Sequence, residues 1–397
     1  MARCEPITEN IFYVGVNDRQ TDLFESLWPL PNGIAYNSYL IRDEKVALID
    51  GVKGSFSLEL LEKIRAALGP SGKVDYLVIN HMEPDHSGAI GMLRAVFPEI
   101  KVVGNKKTLA MLKQFYGMGD NLVEVDEKEP LELGRHQLSF HLIPMVHWPE
   151  TMVTYESTEK VLFSGDAFGS YGVFSGGLFD DRLDLALFDD EALRYYANIV
   201  GGFSAFVQKA LAKVGALDLS ILCPSHGPVW RKNPGYVIER YDEWSRQVGR
   251  RGVLVAYGSM YGQTAQLAEA VGQALVSSGM EEVVIRDTAR THPSYLLRDA
   301  WRYRGLVLAG CTYDMGLFLP LEAFVALMVS KKVRNKALGL CGSYSWSRGI
   351  VLKKLKEVAV AQGWQCVEPE VEIYGVLSEE ALAKARELGR NLAESLA

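Results

Sequence analysis

The chain of 397 residues has few cysteines, no surplus of basic residues and no long hydrophobic run. Its five cysteines are scattered and form no C-x-x-C pair, which excludes a zinc ribbon or a rubredoxin-type module and indicates reduced thiols in a cytoplasm. The formal net charge of −7 leaves no basic excess to neutralise phosphates, so we expect no nucleic-acid binding. No apolar run approaches the roughly 18 residues that cross a bilayer, so we expect no membrane insertion.

The order of the apolar runs predicts two α/β domains, residues 1–250 and 251–397. In the first, IFYVGV (11–16) predicts a strand, and SYLIRDEKVALID (38–50) predicts an antiparallel pair that turns near Asp43. Residues 56–68 have the apolar spacing of a helix. From residue 253 onward, short apolar runs alternate with helical segments through five units. That alternation predicts a parallel sheet with helices on both faces.

Histidine is also scarce, with seven in the chain, yet two lie in the stretch HMEPDHSGA (81–89), directly after the apolar run YLVIN. Three later apolar runs, LIPMVH, VLFSGD and LSILCPSH, each end in another possible metal ligand. Functional groups gather on loops just past strand ends, so four such ends predict one shared site. The candidate ligands are His81, Glu83, Asp85, His86, His147, Asp166 and His226.

Seven groups are too many for one tetrahedral ion, but they fit two metals that share a bridging carboxylate. The alternative for HMEPDH is a solvated polar loop that caps a helix at Ser87.

In the second domain, three polar loops follow predicted strands. SMYGQT (259–264) opens a helix and is a candidate phosphate cradle, although taken alone it is also compatible with a plain helix cap. CTYDMG (311–316) and GSYSWSRG (342–349) follow the third and fourth strands, which places them beside the first loop at the switch point of a doubly wound sheet. Aromatic residues on these loops could flank a ring, or they could simply pack.

The order His-x-Glu-x-Asp-His, followed by His, Asp and His at wide spacings, resembles the metallo-β-lactamase-like domain of flavodiiron proteins. The resemblance implies an αββα sandwich followed by a flavodoxin-like doubly wound parallel sheet. It also implies one iron on His81, Glu83 and His147. A second iron would bind Asp85, His86 and His226, and Asp166 would bridge the two.

Hydrolytic relatives of this fold have histidine where this chain has Glu83, and they bind zinc. An added carboxylate favours iron over zinc.

The second half resembles flavodoxin, which implies that the three loops bind FMN. The residues concerned are Ser259, Met260, Tyr261, Gly262, Gln263, Thr264, Cys311, Thr312, Tyr313, Asp314, Gly342, Ser343, Tyr344, Ser345 and Trp346. Tyr261 stands where flavodoxins usually have threonine, so one phosphate hydroxyl is missing from the pattern.

The activity that this resemblance implies is reduction of O2 to water, of NO to N2O, or of both. Two irons at one electron each and FMN at two match the four electrons that O2 requires. The resemblance further implies a head-to-tail homodimer, or a dimer of dimers. It also implies an external donor such as rubredoxin or reduced coenzyme F420, and a cytoplasmic location. The alternatives are a zinc-dependent hydrolase of the same fold and an FMN electron carrier with an inactive metal domain.

Some positions leave questions open. Glu25, in TDLFES, stands where many flavodiiron proteins have a histidine near the metals. The segment RYYAN (194–198) and Trp148 match family patterns there, but the tyrosines could be packing residues. Cys311 and Cys341 end neighbouring predicted strands, where a regulatory disulfide is conceivable and two buried thiols are expected.

Overall fold

The structure is a computed structural model that describes residues 4–397. Residue contacts divide the chain into two compact units, Met1–Ser245 and Arg246–Ala397. The boundary at residue 250, as one between independently folding domains, stays a prediction. No helix within residues 4–397 is both long and apolar enough to cross a membrane.

The first unit is built from short strands and seven α-helices among the described residues. Its strands are β1 (Glu5–Pro6), β2 (Ile11–Tyr13), β3 (Val16–Asp18), β4 (Leu23–Phe24), β5 (Trp28–Pro29), β6 (Ile34–Tyr36), β7 (Tyr39–Ile41), β8 (Ala47–Ile49), β9 (Tyr76–Val78), β10 (Lys101–Gly104), β11 (Leu122–Glu124), β12 (Leu131–Glu132), β13 (Gln137–Leu142), β14 (Met152–Glu156), β15 (Val161–Gly165) and β16 (Ile221–Pro224). Its helices are α1 (Ser57–Leu68), α2 (Pro84–Ser87), α3 (Ile90–Val96), α4 (Lys106–Tyr116), α5 (Leu185–Tyr195), α6 (Ser204–Val214) and α7 (Pro234–Arg246).

Two sheets face each other across the core of this unit. One has the order β1-β2-β7-β8-β9-β10-β11, and the other has the order β12-β13-β14-β15-β16. Ile41 and Val78 from the first sheet share a buried cluster with Phe140 and Phe163 from the second. Burial of these side chains holds the sheets together, since each Å² of apolar surface removed from water contributes about 25 cal/mol. The predicted αββα sandwich is confirmed.

One local prediction in this unit needs correction. IFYVGV is not one strand, because β2 pairs with β7 whereas β3 pairs with β6. Residues 81–89 include the single helical turn α2, which begins at Pro84, a residue whose fixed φ suits the first helical position. The antiparallel pair β7–β8 and the helix α1 agree with the sequence.

The second unit is a five-stranded parallel sheet with an added hairpin strand. Its strands are β17 (Arg250–Gly258), β18 (Val283–Asp287), β19 (Tyr303–Tyr313), β20 (Gly316–Leu317), β21 (Ala337–Tyr344) and β22 (Gln365–Tyr374). Its helices are α8 (Gln263–Ser277), α9 (Pro293–Arg302), α10 (Leu319–Ser330), α11 (Ile350–Gln362) and α12 (Glu379–Ser395). The order β18-β17-β19-β21-β22, with all these neighbours parallel, confirms the flavodoxin-like doubly wound sheet.

Two of the predicted loops are partly strand. β19 runs on to Tyr313 and turns back as β20 after Asp314 and Met315, both at positive φ. β21 likewise continues to Tyr344. Thr312 and Ser343 are therefore held in the sheet itself, which fixes their positions more firmly than a free loop would.

A close helix contact in this unit gives a stability prediction. A Cβ added to Gly389 of α12 would lie 2.5 Å from Ala274 Cβ and 3.1 Å from the Leu275 nitrogen of α8. Gly389→Ala is therefore expected to lower the free energy of unfolding by about 1 to 3 kcal/mol, measured by urea titration. Gly91 of α3 has no atom within 4 Å of an added Cβ, so Gly91→Ala should raise stability by up to about 1 kcal/mol. Equal effects at the two glycines would contradict the prediction.

Candidate metal and flavin sites

All seven predicted ligands lie together in the first unit. They form two groups, and within each group one ligand atom per residue lies within 4.8 Å of the others. The first group is His81, Glu83, His147 and Asp166, and the second is Asp85, His86 and His226. Every one of these side chains is buried, which excludes the solvated loop considered for HMEPDH.

Strand ends position most of these groups. His81 follows β9, Asp166 directly follows β15, and His226 comes two residues after β16. The single turn α2 carries Asp85 and His86. His147 departs from the prediction, because β13 ends at Leu142 and the histidine lies in the following loop.

A buried hydrogen-bond clamp joins the two sheets where the ligands emerge. The Asn80 backbone N–H donates to Asp50 Oδ1 at 2.8 Å, and its side-chain amide donates to Oδ2 at 3.0 Å. The Thr154 hydroxyl donates to Asn80 Oδ1 at 2.7 Å, and the Met152 N–H donates to the Asn80 carbonyl at 3.0 Å. Asn80 precedes His81, so the clamp fixes the backbone from which that ligand projects.

Asp166 lies between the two groups. Its Oδ2 is 3.1 Å from His147 Nε2 and 3.6 Å from His81 Nε2. Its Oδ1 is 2.8 Å from His86 Nε2 and 3.4 Å from His226 Nε2. One carboxylate therefore faces four imidazoles, with one oxygen toward each group.

The second group shows the strongest sign of a cation site. Both carboxylate oxygens of Asp85, the Nε2 atoms of His86 and His226, and Asp166 Oδ1 are buried and make no hydrogen bond of acceptable geometry. Buried polar atoms nearly always have partners, so these converging unpartnered atoms fit a cation site. The donors are imidazoles and carboxylates, a set that suits iron.

The electrostatics of the site are strongly perturbed. Burial alone would lower the pKa of His147, but its contacts with Asp166 and Glu83 outweigh burial and raise that pKa to about 9. Asp166 and Asp85 act in the same way on His226 and raise its pKa to about 10. Burial opposes ionisation of Glu83, yet His147 and His81 lower its pKa to about 2. The carboxylates thus create a negative potential that protons or metal ions can neutralise.

Sequence reasoning missed Glu150. This buried carboxylate accepts a hydrogen bond from His81 Nδ1 at 2.8 Å and one from the Met82 N–H at 3.0 Å. Its place three residues after His147 was visible in the sequence, but its burial against the far side of His81 was not.

Aromatic rings pack on the ligand histidines. The Trp148 ring centroid lies 5.0 Å from that of His81, and the rings of Tyr195 and Phe24 lie 5.6 and 5.8 Å from that of His226. Tyr196 instead packs on Tyr241. Of the two predicted tyrosines, Tyr195 therefore packs on a ligand histidine.

The Glu25 side chain is exposed, and its carboxylate accepts a hydrogen bond from Trp28 Nε1 at 3.0 Å. The neighbouring Phe24 makes the contact with His226.

The three predicted flavin loops meet at the carboxyl edge of the parallel sheet. They line a cavity of about 100 Å³. Its lining residues are Ser259, Met260, Tyr261, Gln263, Thr264, Cys311, Thr312, Ser343, Tyr344, Ser345 and Gly375. Gly375, just after β22, was missed because it belongs to none of the three loops.

Hydrogen bonds connect the loops around this cavity. The hydroxyls of Thr264 and Ser343 are 2.8 Å apart, and the Gly262 N–H donates to Ser259 Oγ at 3.1 Å. The cavity adjoins the start of α8, where unpaired backbone N–H groups favour an anion. The fit to a phosphate is therefore good.

The other predicted flavin residues do not line this cavity. They are Gly262, Tyr313, Asp314, Gly342 and Trp346. Trp346 is 73% exposed and Tyr313 is 38% exposed, so their rings lie at the surface. Cys311 and Cys341 are both free and buried, and they are not direct partners in the β19–β21 register, where Ala309 opposes Cys341 and Ser343 opposes Cys311.

Known proteins resemble this chain over its whole length. Residues 34–227 match the family described as ODP family beta lactamase, and residues 255–389 match flavodoxin. A nitric oxide reductase from Moorella thermoacetica is 32% identical over all of both chains.

Solved structures agree with this relationship. The rubredoxin oxygen:oxidoreductase of Desulfovibrio gigas has 26% identity and a TM-score of 0.93 over 99% of this chain and 98% of that one. The flavodiiron protein of Giardia intestinalis has 28% identity and the same TM-score over 99% of this chain and 96% of that one. With both halves of the architecture, a clustered set of imidazoles and carboxylates, and relatives that match from end to end, this chain belongs to the flavodiiron protein family.

Proposed function

We propose that this chain is a flavodiiron oxidoreductase that reduces O2 to water, NO to N2O, or both, with electrons from an external donor. The observation that carries the proposal is the pair of buried ligand groups with Asp166 between them. The names of the relatives, a nitric oxide reductase and a rubredoxin oxygen:oxidoreductase, support both gases as substrates.

In this proposal residues 1–250 are the diiron domain and residues 251–397 are the FMN domain. His81, Glu83 and His147 would hold one iron, and Asp85, His86 and His226 would hold the other, with Asp166 shared. When bound, the irons and FMN would supply the one-electron and two-electron chemistry that gas reduction needs. The rings of Trp148 and Tyr195 would hold the ligand imidazoles in place and limit the entry of water.

The three loops would bind FMN with its phosphate in the cavity at the start of α8. A volume of about 100 Å³ is well below the size of a pocket for a whole cofactor, so the flavin ring would lie at the rim. The exposed rings of Tyr313 and Trp346 are placed to flank it there.

We further propose a head-to-tail homodimer, or a dimer of dimers, in a cytoplasm. Tyr261, Trp346 and Tyr374 are 89%, 73% and 67% exposed near the flavin edge, an apolar surface that a second chain would cover. The free state of all five cysteines supports a reducing compartment. Rubredoxin or reduced coenzyme F420 is the proposed donor class, and the name of the D. gigas protein supports the first.

The test is to assay iron and FMN in the purified protein and then measure O2 and NO consumption after anaerobic reduction. Two irons and one FMN per chain with turnover of either gas is the expected result, and the ratio of the two rates gives the preference. A protein loaded with both cofactors that consumes neither gas would contradict the proposal. Zinc without flavin colour would instead support a hydrolase.

The phosphate cavity gives a separate prediction. Thr264→Val keeps the shape of a buried side chain but removes the hydroxyl beside Ser343 Oγ. Hydrogen bonds to charged groups contribute about 1.5 to 3 kcal/mol, so the dissociation constant of FMN should rise roughly tenfold to a hundredfold. Fluorescence titration of FMN into flavin-free protein measures it.

Thr288→Val is the matched control, because the Thr288 hydroxyl donates to the Tyr257 carbonyl and does not line the cavity. If the Thr264 variant bound FMN as tightly as this control, the phosphate of FMN would not bind beside Thr264.

A further inference from the structure

The Nδ1 atoms of the ligand histidines, which face away from the metal positions, have hydrogen-bond partners of different charge. His81 Nδ1 lies 2.8 Å from the Glu150 carboxylate, whereas His226 Nδ1 lies 2.7 Å from the backbone carbonyl of Ala35. His86 Nδ1 is buried and has no hydrogen-bond partner among the described residues. A full negative charge thus backs a ligand of the first group, while only a neutral dipole backs one in the second.

Apart from this difference, the two groups are nearly matched. Each offers two imidazoles and one carboxylate of its own, and both share Asp166. The sets of metal-facing atoms therefore give no reason for the two positions to differ in electron density. The buried Asp50 carboxylate acts electrostatically on His86 and His81, one ligand of each group, and it accepts hydrogen bonds from Asn80. Glu150 differs from it, because Glu150 accepts a hydrogen bond directly from a ligand of the first group.

Glu150 is held firmly in place. It is 1% exposed, and its Oε1 accepts from both His81 Nδ1 and the Met82 N–H. The Asn105 side-chain amide donates to the Glu150 backbone carbonyl at 2.6 Å. Such a carboxylate fixes the ring orientation of His81 with Nε2 toward the metal position, and it strengthens the ligand as a donor.

We propose that Glu150 is a positioning residue that makes the two irons unequal, by lowering the reduction potential of the iron held by His81, Glu83 and His147. This rests on the proposed function, since it presumes iron in both groups. A buried anion one imidazole away from the metal stabilises the more positive ferric state, and it acts more weakly on the second iron because Coulomb energy falls with distance. The first electron would therefore go to the iron on Asp85, His86 and His226.

The test is a redox titration of the iron- and FMN-loaded protein, followed by Mössbauer spectroscopy at poised potentials. Glu150→Gln keeps an oxygen for both hydrogen bonds and removes the charge. The lower of the two iron potentials is expected to rise by the equivalent of at least a tenfold change in the reduction equilibrium, which is about 59 mV for one electron. The higher potential should change by less than about threefold in the same equilibrium.

Glu156→Gln is the matched control. Glu156 is also fully buried and bonded to a histidine, with His136 Nδ1 at 3.0 Å from its Oε1, but that histidine is not in either ligand group. Its substitution should leave both potentials unchanged.

The outcomes separate this inference from the proposed function. Wild-type protein with two irons of equal potential, or a Glu150→Gln variant with wild-type potentials, overturns the role of Glu150 and leaves the proposed function standing. A wild-type protein that binds no iron overturns both. If Glu150→Gln does not retain iron, Glu150→Asp is the variant to titrate. Its shorter side chain lengthens the hydrogen bond to His81, so the lower iron potential should still be higher than in the Glu156→Gln control.

Discussion

Replacing Asp166 with alanine is expected to leave the protein without its iron pair and without measurable gas reduction. Its two oxygens face the four ligand imidazoles at 2.8 to 3.6 Å, so no other side chain of the cluster serves both groups in this way. Breaking a buried charge interaction costs about 3 to 5 kcal/mol. That corresponds to a loss of roughly a hundredfold to several thousandfold in metal affinity.

The measurement is iron per chain together with O2 and NO consumption, in protein purified anaerobically. Glu156→Ala again provides a control, because it also removes a buried carboxylate from the same sheet. Glu156 pairs with Val161 at the start of β15, five residues and roughly 16 Å along the chain from Asp166. The control should lose stability but keep iron. An Asp166 variant that retains two irons and full activity would refute the bridging assignment.

Replacing Lys336 with methionine is expected to stabilise the second unit at neutral pH. The side chain is 3% exposed, and its ammonium group donates to the Tyr303 carbonyl. Burial lowers the pKa of Lys336 to about 7. Below pH 7 the lysine is protonated in both states, so the folded protein carries the full cost of burying a charge, on the order of 4 kcal/mol.

The sign of the pH dependence follows from that pKa. Between pH 7 and the ordinary lysine value of 10.5, the unfolded chain binds more protons than the folded one, so wild-type stability should rise with pH. Lys336→Met removes this contribution and loses one hydrogen bond, worth about 1 kcal/mol. A net gain of about 1 to 3 kcal/mol at pH 7, shrinking toward zero by pH 10.5, is therefore expected.

Urea unfolding at several pH values measures the difference between variant and wild type. Lys353→Met, at an exposed position of α11, should leave the pH profile of stability unchanged. A Lys336 variant with the same pH profile as wild type would show that the lysine escapes to solvent in the folded protein.

Much of the site could be predicted because its chemistry is concentrated in short motifs. Two histidines and two acids within six positions after an apolar strand are rare by chance, and strand ends hold such groups at fixed places. His147 was also identified, although it lies in a loop five residues beyond its strand. The residue was therefore predicted correctly as a ligand, although its position at the end of a strand was not.

The sequence was least informative about where strands end and about which distant segments of the chain come into contact. Thr312 and Ser343 were placed in loops, but pairing between β19 and β21 continues through Cys311 and Ser343. Hydrogen bonds between neighbouring strands decide where a strand ends, and the sequence of one segment does not show which strand will pair with it. The alternative of a solvated loop for HMEPDH could be excluded only from the fold, because the segment is buried where His147, Asp166 and His226 approach it.

Residue types and their spacing were enough to identify the class of this protein, through seven ligand types in order, Glu83 in place of a histidine, and a parallel α/β half with three polar loops. The folded chain was needed to show that Asp166 lies between the two groups, that Glu150 hydrogen-bonds His81, and that Lys336 is buried. Residue type and spacing set what chemistry a segment can perform, whereas contact and burial arise from segments far apart in the chain.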